Sequence, residues 1–117
     1  MRGSENNTAD PRVPRALTVT PKGQAVLSQL FLKKYLSRRG KRWVPLNWLK
    51  VVAEWFMGRE LYGPEEYVWV DQRVLEAELR AHDYEFCVDR RQLYVKCTLS
   101  TNDLKQRAFF LNGGRYR

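Results

Sequence analysis

The sequence is poor in the residues that build metal centres and disulfide frameworks. Its 117 residues include one histidine, His82, and two cysteines, Cys87 and Cys97. Two cysteines are too few for a disulfide-rich scaffold, and the spacing of these three residues matches no zinc site. We therefore expect neither a metal ion nor a cofactor.

Long apolar runs and catalytic motifs are also missing. No stretch approaches the roughly 18 apolar residues that cross a bilayer, and the N-terminus lacks the apolar segment of a secretory signal. These absences favour an intracellular protein, nuclear or cytoplasmic, without a membrane partner. There is no glycine-rich phosphate loop, nucleophile elbow or recognisable carboxylate pair, so we predict a protein that is not an enzyme and has no small-molecule substrate.

The apolar content of the chain is sufficient for one domain. Hydrophobic residues make up 44% of the sequence and aromatic residues 13%, enough to close a core at this length. Residues 1–20 are the exception, because they are polar and proline-containing and predict a flexible leader, with residues 1–4 resembling a tag remnant. We expect a single domain over residues 21–112 and a basic tail over 113–117.

Positive charge is concentrated in two segments of the chain. The net charge is +8, and residues 22–45 carry seven cations and no acid. Residues 84–117 carry seven cations and three acids, whereas residues 46–83 carry four cations and eight acids. Such clustering favours a polyanionic partner, which for an intracellular protein means DNA or RNA.

Hydrophobic periodicity predicts a first helix that begins at Pro21 and has Thr20 as its N-cap. We expect Gly40 to end this helix in a left-handed conformation, so that the cations of residues 33–42 crowd its C-terminal end. Residues 43–44 then form a very short extended piece.

Two further helices follow in the pattern. The second is expected to begin at Pro45 and to end near Met57, with Gly58 as its stop, and the third covers residues 72–81 with Asp71 as its N-cap. Between them, residues 67–70 form a short β-type run.

The region after the third helix has the alternation of a β-hairpin. Residues 84–88 and 93–99 are the expected strands, and residues 89–92 form the turn. This register places Cys87 about three positions from Cys97, roughly 10 Å and beyond disulfide reach. The expected cross-strand pairs are Val88 with Leu93, Phe86 with Val95 and Tyr84 with Cys97 on one face, and Glu85 with Lys96 on the other.

The order of helix, short strand, helix, helix and hairpin resembles that of the winged-helix superfamily of nucleic-acid-binding domains over residues 20–99. The resemblance implies an α+β fold with a compact helical part and a C-terminal antiparallel hairpin, to which residues 102–111 add a short closing helix. In that superfamily the third helix commonly enters the major groove and the hairpin loop, the wing, contacts the backbone or minor groove. By position, the exposed residues of the third helix would be Gln72, Arg73, Glu76 and Arg80, and Arg90 and Arg91 would lie at the tip of the wing.

The third helix is slightly acidic, so most of the affinity would come from cations elsewhere. Lysine and arginine on phosphates fix position without reading sequence, and we therefore predict binding through the nucleic-acid backbone with weak sequence preference. Unpaired bases would stack on Trp43, Trp69, Tyr94 or Phe110 if these are exposed. The candidate contact residues are Lys33, Lys34, Arg38, Arg39, Lys41, Arg42, Arg73, Arg90, Arg91, Lys105 and Arg107.

A protein-interaction module is the alternative hypothesis. Winged helices also serve as docking domains in replication, transcription and RNA-processing assemblies, and the acidic residues 46–83 would offer a protein partner a surface unlike the rest of the chain. The acidic third helix would then be the contact face.

Overall fold

The computed structural model describes residues 14–99, which form four helices and a three-stranded antiparallel sheet. The predicted α+β class is thus confirmed, whereas the expected closing helix over residues 102–111 and the basic tail lie outside the described residues. The elements are α1 (Arg15–Thr18), α2 (Pro21–Tyr35), β1 (Leu36–Pro45), α3 (Leu46–Tyr62), α4 (Gln72–Ala81), β2 (Phe86–Asp89) and β3 (Gln92–Leu99). The sheet order is β1–β3–β2.

The core lies between the helices and one face of the sheet. In its centre the rings of Phe31, Tyr35 and Phe56 lie with centroids 5.2 to 6.4 Å apart, distances at which aromatic pairs attract one another. The sheet contributes Val95 and Cys97 of β3, which are completely buried. This packing joins α2 and α3 to the sheet.

The start of α2 is as predicted, but its end is not. The Thr20 side chain accepts a hydrogen bond from the backbone N–H of Gly23 at 3.0 Å. The helix ends at Tyr35, and the chain continues directly into the ten-residue strand β1. The predicted stop at Gly40 is therefore wrong. A Cβ atom on Gly40 would lie 2.2 Å from the carbonyl carbon of Cys97, so this glycine permits close approach of two strands.

The predicted end of the second helix at Gly58 is wrong for a similar reason. Helix α3 continues to Tyr62 and ends at Gly63, whose φ of 113° is the left-handed conformation that glycine tolerates. A Cβ atom on Gly58 would lie 2.1 Å from the Cα atom of Tyr67. Gly58 thus allows the connection between α3 and α4 to pack directly on the helix.

Residues 67–70 are extended but lie in no sheet of the described region, so the expected β-type run does not pair as a strand. The segment instead runs along α3, where the backbone N–H of Val68 donates to the carbonyl oxygen of Glu54 at 3.1 Å. Its side chains alternate: Val68 and Val70 are buried, whereas Tyr67 and Trp69 are exposed.

Helix α4 and the hairpin have the predicted positions. Helix α4 covers the predicted residues, and the side chain of its N-cap Asp71 accepts from the Arg73 N–H at 2.9 Å. In the hairpin, the predicted pairings of Val88 with Leu93 and of Phe86 with Val95 are confirmed, and both cysteines are free. The turn is shorter than expected, because Asp89 pairs with Gln92 and leaves two residues at the tip.

The expected boundary between leader and domain at residue 21 is too late. Residues 15–18 form the helical turn α1, and Thr18 is buried. The buried side chain of Gln24 in α2 donates to the Thr18 carbonyl oxygen at 2.6 Å. At least these residues of the expected leader therefore pack on the domain.

Candidate nucleic-acid interface

The tip of the hairpin consists of two arginines in an unusual backbone conformation. Arg90 has φ 51° and Arg91 has φ 67°, so both central residues of the two-residue turn are left-handed. A turn of this type favours Asn-Gly, because a larger side chain with positive φ is strained by roughly 1 to 3 kcal/mol. Both arginines are exposed.

A cleft of about 440 Å³ lies beside this tip and is bordered by both arginines. The first turns of α3 and α4 contribute Asn47 and Gln72 to its wall, and the Gln92 amide donates to the Asn47 side-chain oxygen at 3.2 Å. The first turn of α3 has no side-chain cap, and its backbone N–H groups carry partial positive charge that suits a phosphate, whereas the start of α4 is capped by the Asp71 carboxylate. The hairpin tip and two helix starts therefore meet at one place.

Arg73 lies next to Gln72 in the first turn of α4 and is exposed. Arg90 and Arg91 line the cleft, and Arg73 is adjacent to its Gln72 in the sequence without lining it. We call Arg73, Arg90 and Arg91 the N-terminal cluster, after the end of α4 near which they lie. Within residues 14–99 none of the three forms an ion pair. Their charges are therefore available to a ligand.

A second group of cations lies at the other end of α4. Lys33, Arg38 and Arg39, which we call the C-terminal cluster, line an open cleft of about 830 Å³ together with His82 and Tyr84. The three cations come from the end of α2 and the start of β1, and His82 follows the last turn of α4.

The cations of the C-terminal cluster are only weakly engaged. The guanidinium of Arg38 lies 3.6 Å from the Asp83 carboxylate, and both side chains are exposed, so water screens the pair. Lys33 and Arg39 are exposed and form no ion pair among the residues that the structure describes. This end of α4 thus also presents available positive charge.

The charged side chains in the part of α4 between the clusters make contacts within the domain. Arg80 and Glu76 form an ion pair at 2.9 Å, and the Arg80 guanidinium lies 4.1 Å from the centre of the Phe86 ring. Glu78 accepts a hydrogen bond from Gln29 at 3.3 Å. Helix α4 has ten residues and is about 15 Å long, with the N-terminal cluster near its start and the C-terminal cluster near its end.

The remaining predicted contact residues do not join these clusters. Lys34 forms an ion pair with Glu60 at 2.6 Å, so its charge is compensated. Arg42 is exposed on β1, opposite Cys97. Lys41 lies in β1, but its side chain is outside what the structure describes. Lys105 and Arg107 lie outside the described residues.

Burial keeps two ionisable groups near the C-terminal cluster neutral. Burial raises the pKa of Tyr84 to about 12; the neighbouring Cys97 adds to the rise and Arg38 opposes it. Burial likewise raises the pKa of the Cys97 thiol to about 12. Tyr84 is protonated at neutral pH, as tyrosine ordinarily is, and can donate a hydrogen bond to an anion in the cleft, whereas Cys97 is a buried thiol and not an activated nucleophile.

Sequence reasoning assigned no role to several groups that line the clefts. Asn47 is the clearest case. The predicted helix start at Pro45 already placed Asn47 in the first turn of a helix, where it could have been recognised as a candidate. His82 and Tyr84 gave no comparable signal. Of the expected stacking residues, Trp43 and Trp69 are exposed, Tyr94 is half-buried and Phe110 lies outside the described residues.

The comparisons with known proteins add no relative. No protein family, curated protein or solved structure matches this chain. Across residues 14–99, no group of three or more histidine, cysteine, aspartate or glutamate side chains is placed to hold a metal ion. None of the helices in that range has the length and apolar character needed to cross a membrane. A functional assignment therefore depends on the geometry of the two clusters.

Proposed function

We propose that this protein is a non-enzymatic nucleic-acid-binding domain that contacts phosphates through the N-terminal and C-terminal clusters. The order of helices and strands and the sheet order β1–β3–β2 also favour a fold of winged-helix type. The wing would be the hairpin turn formed by residues 90–91.

The observation that carries this proposal is the strained arginine pair. A fold selected for stability alone would favour Asn-Gly in such a turn. Arg90 and Arg91 instead hold exposed guanidinium groups on a left-handed backbone beside two helix N-termini. Strain of this kind persists where the side chains serve a purpose other than stability.

The two ends of α4 lie about 15 Å apart along the helix axis, a length comparable to the roughly 12 Å width of the major groove of B-form DNA. Cation clusters at both ends of such a helix suit contacts with two rows of phosphates. The middle of the helix, with its internal Glu76–Arg80 pair, offers few free donors to base edges. Binding would therefore depend on backbone contacts and have weak sequence preference.

The alternative, docking of a protein partner on the acidic face of α4, has less support. The acids of this helix are used within the domain: Asp71 caps the helix, Glu76 pairs with Arg80, and Glu78 accepts from Gln29. A surface whose carboxylates are already engaged attracts a cationic partner less strongly.

Fluorescence anisotropy of the full chain with labelled single- and double-stranded DNA and RNA tests the proposal. Binding to at least one probe should weaken by a few orders of magnitude from about 50 mM to about 200 mM salt if about six phosphates are contacted. Absence of binding to all four probes at low salt, or an affinity that salt does not change, would overturn it. Comparison of the four probes also identifies the preferred nucleic acid.

A further inference from the structure

A second surface of the molecule is aromatic instead of basic. Trp55 on α3 is 46% exposed, and the neighbouring connection contributes Tyr67 and Trp69, which are 60% and 46% exposed. The ring centroids of Trp55 and Tyr67 lie 6.3 Å apart. Val51, 39% exposed, lies one turn before Trp55 on the same face of α3. We call these four residues the aromatic platform.

The backbone under the platform is held in place from both sides. From α3, the Glu54 carboxylate accepts from the Val70 N–H at 3.1 Å. From α2, the Gln24 amide donates to the Trp69 carbonyl oxygen at 2.8 Å, and its oxygen accepts from the Asp71 N–H at 2.6 Å. The exposed aromatic side chains are thus presented on a fixed backbone, which lowers the entropy cost of binding a partner.

Most charges around the platform are compensated. Glu54 pairs with Lys50 at 2.6 Å, and Glu66 pairs with Arg15 at 2.6 Å. Glu65 is exposed and has no ion-pair partner among residues 14–99. A single lysine or arginine of a ligand therefore has one carboxylate available to it beside the aromatic side chains.

The size of the platform indicates a short ligand. An aromatic side chain has roughly 150 to 250 Å² of surface, so the half-exposed side chains offer about 350 Å² together. A stable dimer needs about 800 Å² from each partner. The platform is therefore too small to hold a second copy of this chain but matches one apolar face of a peptide or short helix.

We propose that the aromatic platform is a docking site for a short segment of a protein partner that combines apolar residues with lysine or arginine. The apolar side chains pack on Trp55, Tyr67 and Trp69, since aromatic residues dominate the energetics of such interfaces. The cations lie beside Glu65. This site is independent of the two basic clusters, so it stands even if the chain binds no nucleic acid.

Selection of a random-peptide display library on the full chain tests this proposal. Binders to a double variant, Trp55→Ser with Trp69→Ser, are removed by counter-selection. Because both side chains are about half exposed, the variant keeps its fold, which thermal unfolding checks, and Tyr67→Ser serves as a second variant. The matched control is Trp43→Ser, since Trp43 is similarly exposed but lies on β1 outside the platform.

The enriched peptides should contain apolar residues together with lysine or arginine. Their affinity should fall at least about tenfold with Trp69→Ser or Tyr67→Ser and stay unchanged with Trp43→Ser. The proposal is overturned by acidic peptides, by peptides whose affinity both Trp69→Ser and Tyr67→Ser leave unchanged, or by an absence of enriched peptides after counter-selection. It is also overturned if single-stranded oligonucleotides displace the peptides, or if sedimentation shows a dimer of the chain that the double variant abolishes.

Discussion

The hairpin tip and the connection between α3 and α4 use polar side chains in opposite ways. In the connection, residues 63–71, the extended backbone is tied to the domain by Gln24 and Glu54. At the hairpin tip, Arg90 and Arg91 are strained and exposed and form no ion pair within the described part of the chain. In the connection, the polar groups form hydrogen bonds that stabilise the fold. At the hairpin tip, the polar groups remain available to a ligand.

This difference separates structural from functional polar residues in one small domain. A polar side chain that satisfies buried backbone groups is costly to remove, since its partners would lose their hydrogen bonds. An exposed cation without a carboxylate partner contributes little to stability but much to the attraction of an anion. Substitutions in the two regions should therefore change different measured quantities.

The largest effect on stability is expected for Gln24→Leu. Gln24 is 1% exposed, and its amide group bonds to Thr18, Trp69 and Asp71, so leucine would remove the partner of one buried and two partly buried backbone groups. We expect the free energy of unfolding to fall by about 3 kcal/mol in urea denaturation. Gln29→Leu is the matched control on the exposed face of the same helix and should change it by less than about 0.5 kcal/mol. Equal losses of stability in the two variants would contradict the structural role that we assign to Gln24.

Charge reversal of the C-terminal cluster should have the largest effect on binding. The combined substitutions Lys33→Glu, Arg38→Glu and Arg39→Glu are expected to weaken nucleic-acid binding about 100-fold at low salt, because three attractive charges become repulsive. Lys34→Gln is the control, since Lys34 is already compensated by Glu60. If anisotropy shows the same loss for Lys34→Gln, compensated and available cations do not differ as we suppose.

Replacement of Arg90-Arg91 by Asn-Gly should separate stability from binding. The new turn relieves the left-handed strain, so the free energy of unfolding should rise by about 1 to 2 kcal/mol. Affinity for nucleic acid should fall about tenfold, because two phosphate contacts are lost. Thermal unfolding and anisotropy of the same preparation measure both quantities. A variant that is less stable than the wild type would contradict the role assigned to the turn.

The last effect is absent at neutral pH and concerns the dependence of stability on alkaline pH. Burial raises the pKa of Cys97 from 9.0 and that of Tyr84 from 10.0, each to about 12, so the folded state retains protons that the unfolded state releases. Their contribution to stability is complete below pH 9 and is lost as the pH rises to about 12. Urea denaturation of Cys97→Ala and Tyr84→Phe should each show a shallower decline than the wild type. If the stability of both variants declines with rising pH as steeply as that of the wild type, groups other than Cys97 and Tyr84 cause the decline.

Local patterns in the sequence predicted the elements that depend on neighbouring residues. The N-caps Thr20 and Asp71 and the hairpin register were correct, because caps and two-residue alternation are determined over a few positions. Glycine was misleading in two places. Glycine is required at these two positions because the backbone of Cys97 packs closely against Gly40 and that of Tyr67 against Gly58. Nothing in the local sequence distinguishes this role from a helix stop.

The candidate site was predictable in composition but not in arrangement. The absence of acids in residues 22–45 pointed to Lys33, Arg38 and Arg39, which the structure brings into one cleft. The same pattern selected Lys34, whose partner Glu60 is 26 positions away in the sequence. Such a pair forms because α2 packs against α3. This packing cannot be predicted from the number of charged residues in each segment of the sequence.

The salt dependence of binding by the wild type and by one variant of each cluster tests the central claim most directly. If about six phosphates are contacted, the plot of log affinity against log salt should have a slope of about −5, and loss of either cluster should reduce its magnitude by about 2 to 3. Two cluster variants with slopes parallel to that of the wild type would contradict the claim that both ends of α4 contact nucleic acid.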